Sequence, residues 1–290
     1  MKSEKITPYY FKIQGLPIGM SCEKQQLIGE LHDHEFTEIV IIKSGSGRQL
    51  YDGVSLPVSA GEVYVIPKGY AHAWQETEGL SLVNVMVSSF ESIELLEELQ
   101  GHPGFSAFFN LEPKLRVKQK GAGRLSLTNE SLNEVIRVLD RLGLALEGNG
   151  SHRATLATIQ LLNLIHILCD AYLNSSGKNY TMTLRIDKAI SYLRDNCKKE
   201  PSVQELSKMI NVSAPTFYRL FRDATGLTPI QYVNDLRIKH ACKLLKQSDM
   251  NMSEIANELG FSESNYFART FRSIKKMSPR AYRHLEPEYT

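Results

Sequence analysis

Three histidines and one glutamate in the first third of the chain suit the binding of a metal or a polar ligand. His32, His34 and Glu38 follow the spacing His-x-His-x3-Glu, and His72 comes later. The first three have even numbers, so on one strand they point to the same side, with His72 expected on a neighbouring strand. Such a set can bind Mn, Fe, Ni or Zn. It could equally bind an organic ligand or be structural, and the pattern leaves all three open.

Two pairs of arginines in the last third suit contact with a polyanion. Arg219 and Arg222 lie three residues apart, as do Arg269 and Arg272, so each pair shares one face of a helix. One guanidinium of a pair can enter the major groove of DNA while the other meets a phosphate. A single pair could simply be solvated, but its repetition in a basic segment favours DNA.

The arginine pairs belong to an internal repeat. Shifting the segment by 50 residues gives six identities within 16 aligned positions, which indicates two copies of one unit. The identical residues are Phe217, Arg219, Phe221, Arg222, Pro229 and Tyr232, which recur as Phe267, Arg269, Phe271, Arg272, Pro279 and Tyr282.

Each copy is predicted to be a short helix, a turn and a longer helix, which is helix-turn-helix spacing. In the first copy Ser202 caps a helix over 203–210, Asn211 makes the turn, and Ser213 caps a helix that ends near Thr225.

The second copy follows the same plan. Ser253 is expected to cap a helix over 254–259, Gly260 to make the turn, and Ser262 to cap a helix to about residue 275. A helix over about 230–246, roughly 25 Å long, would hold the two longer helices about one DNA turn apart.

The first part of the chain has β signals, and short strands separated by Gly-containing turns predict a small barrel or jelly roll. Asp52-Gly53 is a hairpin signal. The strands are expected at 37–43, 48–51, 54–58, 62–66 and 80–87.

A helical hairpin is predicted after this barrel. Apolar residues recur at helical spacing from Leu132 to Leu146, with Thr128 or Asn129 as the cap. Ser151 is expected to cap a second helix over 153–173, which is apolar almost all round. Such a helix can pack on its own barrel or form a homodimer, and for a dimer Leu162→Glu should yield monomers.

Charge is distributed unevenly. Residues 183–285 carry 18 Lys/Arg against 10 Asp/Glu, whereas residues 1–182 carry 16 against 20. The C-terminal part is therefore expected to meet the polyanion. The charge balance changes at the polar stretch 174–179, which indicates a linker.

Composition also predicts the compartment. No apolar run follows the N-terminal lysines, and the longest charge-free apolar run, 154–169, has 16 residues, fewer than the ~20 that span a bilayer. The four cysteines form no C-x-x-C pair, which fits reduced thiols and no zinc finger. These features predict a cytoplasmic protein without a membrane partner.

The C-terminal third resembles the DNA-binding domain of the AraC/XylS family over about 186–283. The resemblance is carried by "APTFYRLFRDATGLTPIQYVNDLRIKHACKLL" and "MSEIANELGFSESNYFARTFRSIKKMSPRAYR". One departure is Lys276, near which a glycine is usual. The resemblance implies promoter DNA and RNA polymerase as partners. It implies base contacts from Thr216, Tyr218 and Arg219 in the first unit, and from Ser264, Asn265 and Arg269 in the second.

The histidine-rich segment, together with a later Gly-x5-Pro-x-Gly-x2-His, resembles the two cupin motifs, although Glu76 stands where Asn is usual. Sensor cupins of this family often bind an organic effector. The stretch "HDHEFTEIVIIKSGSG" resembles rhamnose-responsive activators, which implies a carbohydrate. The expected effector residues are His32, His34, Glu38, Arg48, Tyr51, His72 and Trp74, with Tyr64 as a further neighbour.

These observations together predict a multi-domain α+β protein. We expect a cupin-like barrel at 1–90, a dimerising helical hairpin at 91–174, a linker at 175–182 and a double helix-turn-helix domain at 183–285. The expected function is a homodimeric, sugar-controlled, DNA-binding activator, not an enzyme, without a cofactor. The alternative is a metal-dependent cupin enzyme fused to a DNA-binding domain, with His32, His34, Glu38 and His72 as ligands.

Overall fold

The computed structural model describes residues 4–5, 11, 13–90, 93, 99, 102, 104–118, 124–175 and 178–285. The chain divides into two compact units, Met1–Asp187 and Lys188–Thr290. The first is rich in sheet and the second is helical, which confirms the predicted fold class.

The first unit is built on one eight-stranded sheet in the order β1-β3-β7-β4-β6-β8, in which β2 also pairs with β7 and β5 with β4. The strands are β1 (Glu4–Lys5), β2 (Ile18–Glu23), β3 (His32–Asp33), β4 (Thr37–Tyr51), β5 (Val54–Ser59), β6 (Glu62–Ile66), β7 (His72–Val87) and β8 (Leu125–Ser126).

Strand β4 is longer than predicted, because the glycine-rich segment does not end it. The pairing with β7 shifts register three times between Ile42 and Arg48, so this segment forms bulges rather than a turn. Gly45 has a φ of +80°, and a Cβ there would collide with the carbonyl of Gly79 on β7. Glycine is needed here so that two strands can approach closely.

The two faces of the sheet bury different residues. Ile39 and Ile41 pack in a core shared with the helices, whereas Val40 and Ile42 pack in a second cluster on the opposite face. This alternation is the period of a strand with both faces covered. Glu38 has the parity of the second cluster, so its side chain lies on that inner face.

A π-helical turn at Ser106–Leu111 and the two helices of the hairpin contribute to the core on the outer face of the sheet. Thr128 caps the hairpin's first helix by accepting from the Ser131 N–H, as predicted. His152, not Ser151, precedes its second helix and makes no side-chain cap, so the Ser151 prediction is wrong. The helices are α1 (Glu112–Lys118), α2 (Asn129–Glu147) and α3 (Arg153–Leu173).

Helix α3 is the one helix in the described part of the chain that is long and apolar enough to cross a bilayer. Its inward side, which includes Leu161, Leu164 and Ile165, is fully buried in the core of the first unit. Core helices of water-soluble domains have this composition as well.

The predicted linker at 175–182 differs from the structure. Helix α4 (Lys178–Asp195) begins inside it, and the boundary between the units falls after Asp187. The residues of this helix that are buried recur at helical spacing: Thr183, Ile186, Asp187 and Ile190. The polar composition of the stretch did not indicate that the helix begins there or that one of its sides is buried.

The second unit contains two short–long helix pairs joined by a helix of 19 residues. Its second half is held by a cluster that includes Ile255, Phe267 and Phe271. After α4 the helices are α5 (Val203–Met209), α6 (Ala214–Thr225), α7 (Pro229–Gln247), α8 (Met252–Glu258), α9 (Ser264–Lys275) and α10 (Pro279–Arg283).

The helix caps agree with the sequence in the first copy and differ in the second. Ser202 and Ser213 cap α5 and α6 as predicted. Helix α8 begins two residues earlier than expected, because Asn251 and Glu254 form a reciprocal capping box there. Glu263 precedes α9 without a side-chain cap. The predicted caps Ser253 and Ser262 are therefore wrong.

Candidate effector cavity and nucleic-acid interface

A cavity of about 290 Å³ opens on the inner face of the sheet. It contains five of the seven predicted effector residues: His32, His34, Glu38, His72 and Trp74. Its other lining residues are Ser21, Glu23, Gln26, Phe36, Asn84 and Met86.

Three of these side chains converge on one point. Glu38 Oε2 lies 3.2 Å from His72 Nε2 and 3.5 Å from His34 Nε2. All three residues are buried. His34 follows β3, Glu38 begins β4, and His72 begins β7, so three strand ends bring together residues that are distant in sequence. The His32 ring, 4.3 Å from that of His72, lies beside the cluster.

The backbone orients the imidazoles. Nδ1 of His34 lies 2.7 Å from the Phe36 carbonyl oxygen, and Nδ1 of His32 lies 3.0 Å from that of Glu30. A carbonyl only accepts, so each Nδ1 carries the hydrogen and each Nε2 offers a lone pair in the neutral ring. Nε2 of His34 lies 3.5 Å from Glu38 Oε2 and makes no hydrogen bond among the described residues.

Burial and charge both act on ionisation in this cluster. Burial by itself would raise the pKa of Glu38, but the neighbouring imidazoles of His34 and His72, 3.5 and 3.2 Å from Glu38 Oε2, lower it to about 2. Burial and the nearby His72 lower the pKa of His32. The site therefore holds a carboxylate that is ionised at neutral pH beside three imidazoles.

The donor set of His34, Glu38 and His72 fits a divalent metal, since one ligand atom from each lies within 4.8 Å of the others. Nδ1 of His34 is held by a carbonyl, as in many metal sites, and its buried Nε2 makes no hydrogen bond within the described residues. The same atoms also fit the hydroxyl groups of an organic ligand.

Two predicted effector residues do not line the cavity. Arg48 donates to the Ser55 side chain and carbonyl, 2.9 and 3.1 Å away. Tyr51 is fully buried in the inner cluster, where its ring stacks on that of Tyr70 with the centroids 5.6 Å apart. Its ring lies under Arg116, 4.7 Å from the guanidinium carbon.

Tyr64, which was predicted to neighbour the effector, does not line the cavity either. Its ring packs beside Arg116. The guanidinium lies 5.2 Å from the Tyr64 ring and donates to the Val65 carbonyl and to Glu112. Burial disfavours its charge, yet Glu112 keeps the pKa of Arg116 above its ordinary value. The spacing Glu112-x3-Arg116 was the only signal in the sequence.

Asn84 and Met86 also line the cavity, although they were not among the residues predicted from the sequence. Both lie on β7, where Met86 pairs with Glu38 and Asn84 with Val40. An asparagine inside the apolar run "LSLVNVMV" was the available signal, because a polar residue in a buried strand needs a partner.

The second candidate surface is formed by α6 and α9. Each helix buries two phenylalanines on one side, Phe217 and Phe221 or Phe267 and Phe271. Arg219, Arg222, Arg269 and Arg272 are exposed, as are Tyr218 and Asn265, whereas Thr216 and Ser264 are half-buried at the helix starts.

Thr216 and Ser264 also make local hydrogen bonds. Oγ1 of Thr216 lies 2.8 Å from Ser213 Oγ, and Ser264 Oγ lies 3.1 Å from Ser253 Oγ. These bonds place a hydroxyl in the first turn of each long helix, where base contacts occur in helix-turn-helix proteins.

Helix α7 connects the two copies and is itself held in place. It is about 28 Å long at 1.5 Å per residue. Arg237 on α7 donates to the carbonyls of Cys197 and Lys199, 2.6 and 3.1 Å away. Asn234 donates to the Tyr266 hydroxyl of α9 at 3.0 Å. Arg237 is buried, so its guanidinium stabilises the packing of α7 and is not available to contact DNA.

Each of the two units contains a segment that matches a known protein family. Residues 206–284 match the family described as helix-turn-helix domain, and residues 20–87 match the cupin domain. The HTH-type transcriptional activator RhaS of Enterobacter sp. (strain 638) is 27% identical over 92% of both chains. The RhaS of Salmonella arizonae is 26% identical over 94% of both. A crystallised DNA-binding domain of AdpA with target DNA is 29% identical, with a TM-score of 0.33, and covers 34% of this chain and 89% of its own.

Proposed function

The chain is an AraC-family regulator in which a cupin domain precedes two helix-turn-helix units, and from this premise we propose that it is a transcription activator controlled by a carbohydrate. The observation that carries the proposal is the polar cavity around Glu38, the one cluster of His and Glu on the inner face among the described residues. Relatives named as activators align over most of the chain.

The chemistry of the cavity supports a small polyol. The carboxylate of Glu38 and the imidazole Nε2 atoms accept hydrogen bonds, and Asn84 can both donate and accept. Trp74 supplies an apolar wall. At about 290 Å³ the cavity lies at the lower end of the range for ligand sites. A monosaccharide has this combination of size, hydroxyl groups and apolar ring face.

Control of transcription follows from differential binding. A sugar that binds one arrangement of the chain better than another shifts the population toward it, and promoter occupancy or contact with RNA polymerase changes with it. Thr216, Tyr218, Arg219, Ser264, Asn265 and Arg269 are the proposed base-contacting residues, with Arg222 and Arg272 on the backbone phosphates. Such a regulator acts in the cytoplasm, where the promoter is.

The effector proposal is tested by titrating the full chain with a panel of deoxysugars and uronic acids in a calorimeter. We expect one sugar to bind, and Glu38→Gln to weaken it about 10- to 100-fold, since a hydrogen bond to a charged group contributes ~1.5–3 kcal/mol. Glu35→Gln is the matched control, because Glu35 is exposed and pairs with Lys68. Equal affinity in Glu38→Gln would contradict the proposal.

A metal-dependent enzyme is the second candidate, favoured by the His34–Glu38–His72 donor set. A metal held there would polarise a carbonyl or activate a water. The candidate requires a stoichiometric metal and turnover of a sugar that His34→Ala abolishes. Metal analysis and product assays decide it, and binding without turnover leaves the regulator.

We also propose a homodimer through the helical hairpin. Leu144, Leu156 and Ile159 are 74%, 51% and 48% exposed, and a second copy of the chain would cover this apolar surface of the two hairpin helices. Leu162 packs against the core of its own unit, so the substitution Leu162→Glu would test folding rather than association.

Ile159→Glu is the sharper test of the dimer. We expect light scattering to give a dimer for the unmodified chain and a monomer for Ile159→Glu, because a carboxylate cannot be buried unpaired in an apolar interface. Asn133→Glu adds the same charge to an exposed position of α2 and should leave the mass unchanged. A monomeric unmodified chain would refute the proposal.

A further inference from the structure

A second cluster of metal-binding side chains lies in the first unit, apart from the cavity. His102 Nε2 is 3.4 Å from Asp170 Oδ1, and His166 Nε2 is 3.6 Å from Asp170 Oδ2. The two imidazole rings meet edge to face with centroids 5.0 Å apart. One ligand atom from each residue lies within 4.8 Å of the other two.

Helix geometry accounts for two members of this cluster. His166 and Asp170 are four residues apart on α3, so they share one face. That face is turned away from the core, and the side chains are 51% and 52% exposed. Leu164, Ile165 and Leu168 point inward instead, so the polar pair is positioned by the burial of the rest of the helix.

The third member is held against α3 by the chain that follows it. Gly104 has a φ of +91°, and a Cβ there would lie 3.0 Å from the Cys169 carbonyl oxygen and 2.9 Å from Leu173. The Gly104 N–H donates to Asp187 at 3.1 Å, and Phe105 is buried. This close approach holds His102 beside Asp170 with only 18% of its side chain exposed.

The distances fit a bound cation better than direct hydrogen bonds. A charged imidazole–carboxylate hydrogen bond is about 2.7–2.9 Å long, and both N···O separations exceed this. Ligand atoms around a tetrahedral ion with bonds of about 2.0–2.2 Å lie roughly 3.3–3.6 Å apart. The separations of 3.4 Å to Asp170 Oδ1 and 3.6 Å to Asp170 Oδ2 fall in that interval, each histidine facing a different oxygen of the carboxylate.

We propose that His102, His166 and Asp170 bind a divalent ion of the zinc type. Two imidazoles and one carboxylate suit Zn, Co or Ni better than Mg or Ca. His166 and Asp170 also line a groove of about 600 Å³ that contains Ser131, Glu134 and Asn163, so water can reach the ion and complete its shell. The ion ties the turn at His102 to α3, and it is independent of the effector cavity.

The test is calorimetric titration of the full chain with Zn²⁺, in the His34→Ala background so that the inner cluster does not contribute. We expect one Zn²⁺ per chain, and we expect His166→Ala to weaken it by at least about tenfold, the minimum seen even for lost outer-shell partners. His152→Ala is the matched control, since His152 is exposed just before the same helix and should bind as the background does. Equal binding by His166→Ala and the background would overturn the proposal.

Two further measurements distinguish a metal site from a loss of structure. Asp170→Asn keeps the size of the side chain and should also lose Zn²⁺ affinity while its circular dichroism stays that of the parent. Zn²⁺ should raise the melting temperature of the background protein but not that of Asp170→Asn, because a ligand stabilises the state that binds it. Loss of all Zn²⁺ binding in His34→Ala alone would place the only metal site in the cavity and refute this one.

Discussion

Both helix-turn-helix units have a residue with positive φ at the turn and another at the end of the long helix. Glycine occupies the second of these positions in the first unit and the first of them in the second unit. In the first unit Asn211 makes the turn with φ +55°, and Gly226 ends the long helix with φ +76°. In the second unit Gly260 makes the turn with φ +77°, and Lys276 ends the long helix with φ +59°. Residue 276 thus adopts the conformation expected of the missing glycine.

The exchange shows that the backbone conformation is needed at both points, while glycine is needed only where space is lacking. A Cβ on Gly260 would collide with the backbone of Lys198, whereas nothing lies within 4 Å of a Cβ on Gly226. Asn211 already carries a Cβ. Gly260 is therefore required because a side chain would not fit, whereas Gly226 is only favoured because glycine adopts a positive φ without strain.

The largest effect is expected for Gly260→Ala. It adds the left-handed penalty and a backbone collision, so we expect a loss of roughly 2–5 kcal/mol in the free energy of unfolding. Asn211→Ala is the matched change in the first unit and should lose about 1 kcal/mol or less. Urea denaturation of both variants measures this, and equal losses would show that the approach of Lys198 adjusts freely.

The next effect concerns DNA. Arg269→Ala should weaken the cognate site by about 1–3 kcal/mol and relax specificity at its own base pairs. Arg219→Ala should do the same about one helical turn away. Fluorescence anisotropy against a set of mutated sites separates the two. If either variant weakens all sequences equally, that arginine contacts phosphate and the two units do not read DNA alike.

The smallest effect is a gain. Lys276→Gly removes the left-handed strain and should stabilise the protein by about 0.5–1 kcal/mol, despite the loss of the hydrogen bond from Lys276 Nζ to the Ser273 carbonyl. Gly226→Lys, the reverse exchange, should destabilise by a similar amount. Thermal melts of both variants check the sign, and a neutral result at both positions would mean that neither cap is strained.

Sequence reasoning succeeded where a local rule applies. The spacing of His34 and Glu38 predicted that they would meet, but they do so from two segments, His34 after β3 and Glu38 in β4, and not along one strand as predicted. Serine before a helix correctly predicted the caps of α5 and α6. It failed where a competing local interaction or a distant residue decided. Asn251 displaced Ser253 because its capping box satisfies two N–H groups. Tyr51 does not line the cavity because its ring packs against Arg116 and Tyr70, two residues from other segments of the chain.

The amino-acid sequence by itself determined the two-part plan, the duplicated DNA-binding unit and the histidine cluster, because periodicity, repetition and spacing are properties of neighbouring residues. Only the tertiary structure decided which polar residues share a cavity, where Arg116 is buried, and that His102 meets His166 and Asp170. Those outcomes depend on contacts between segments far apart in the chain, and such contacts are set by packing and burial rather than by any local pattern.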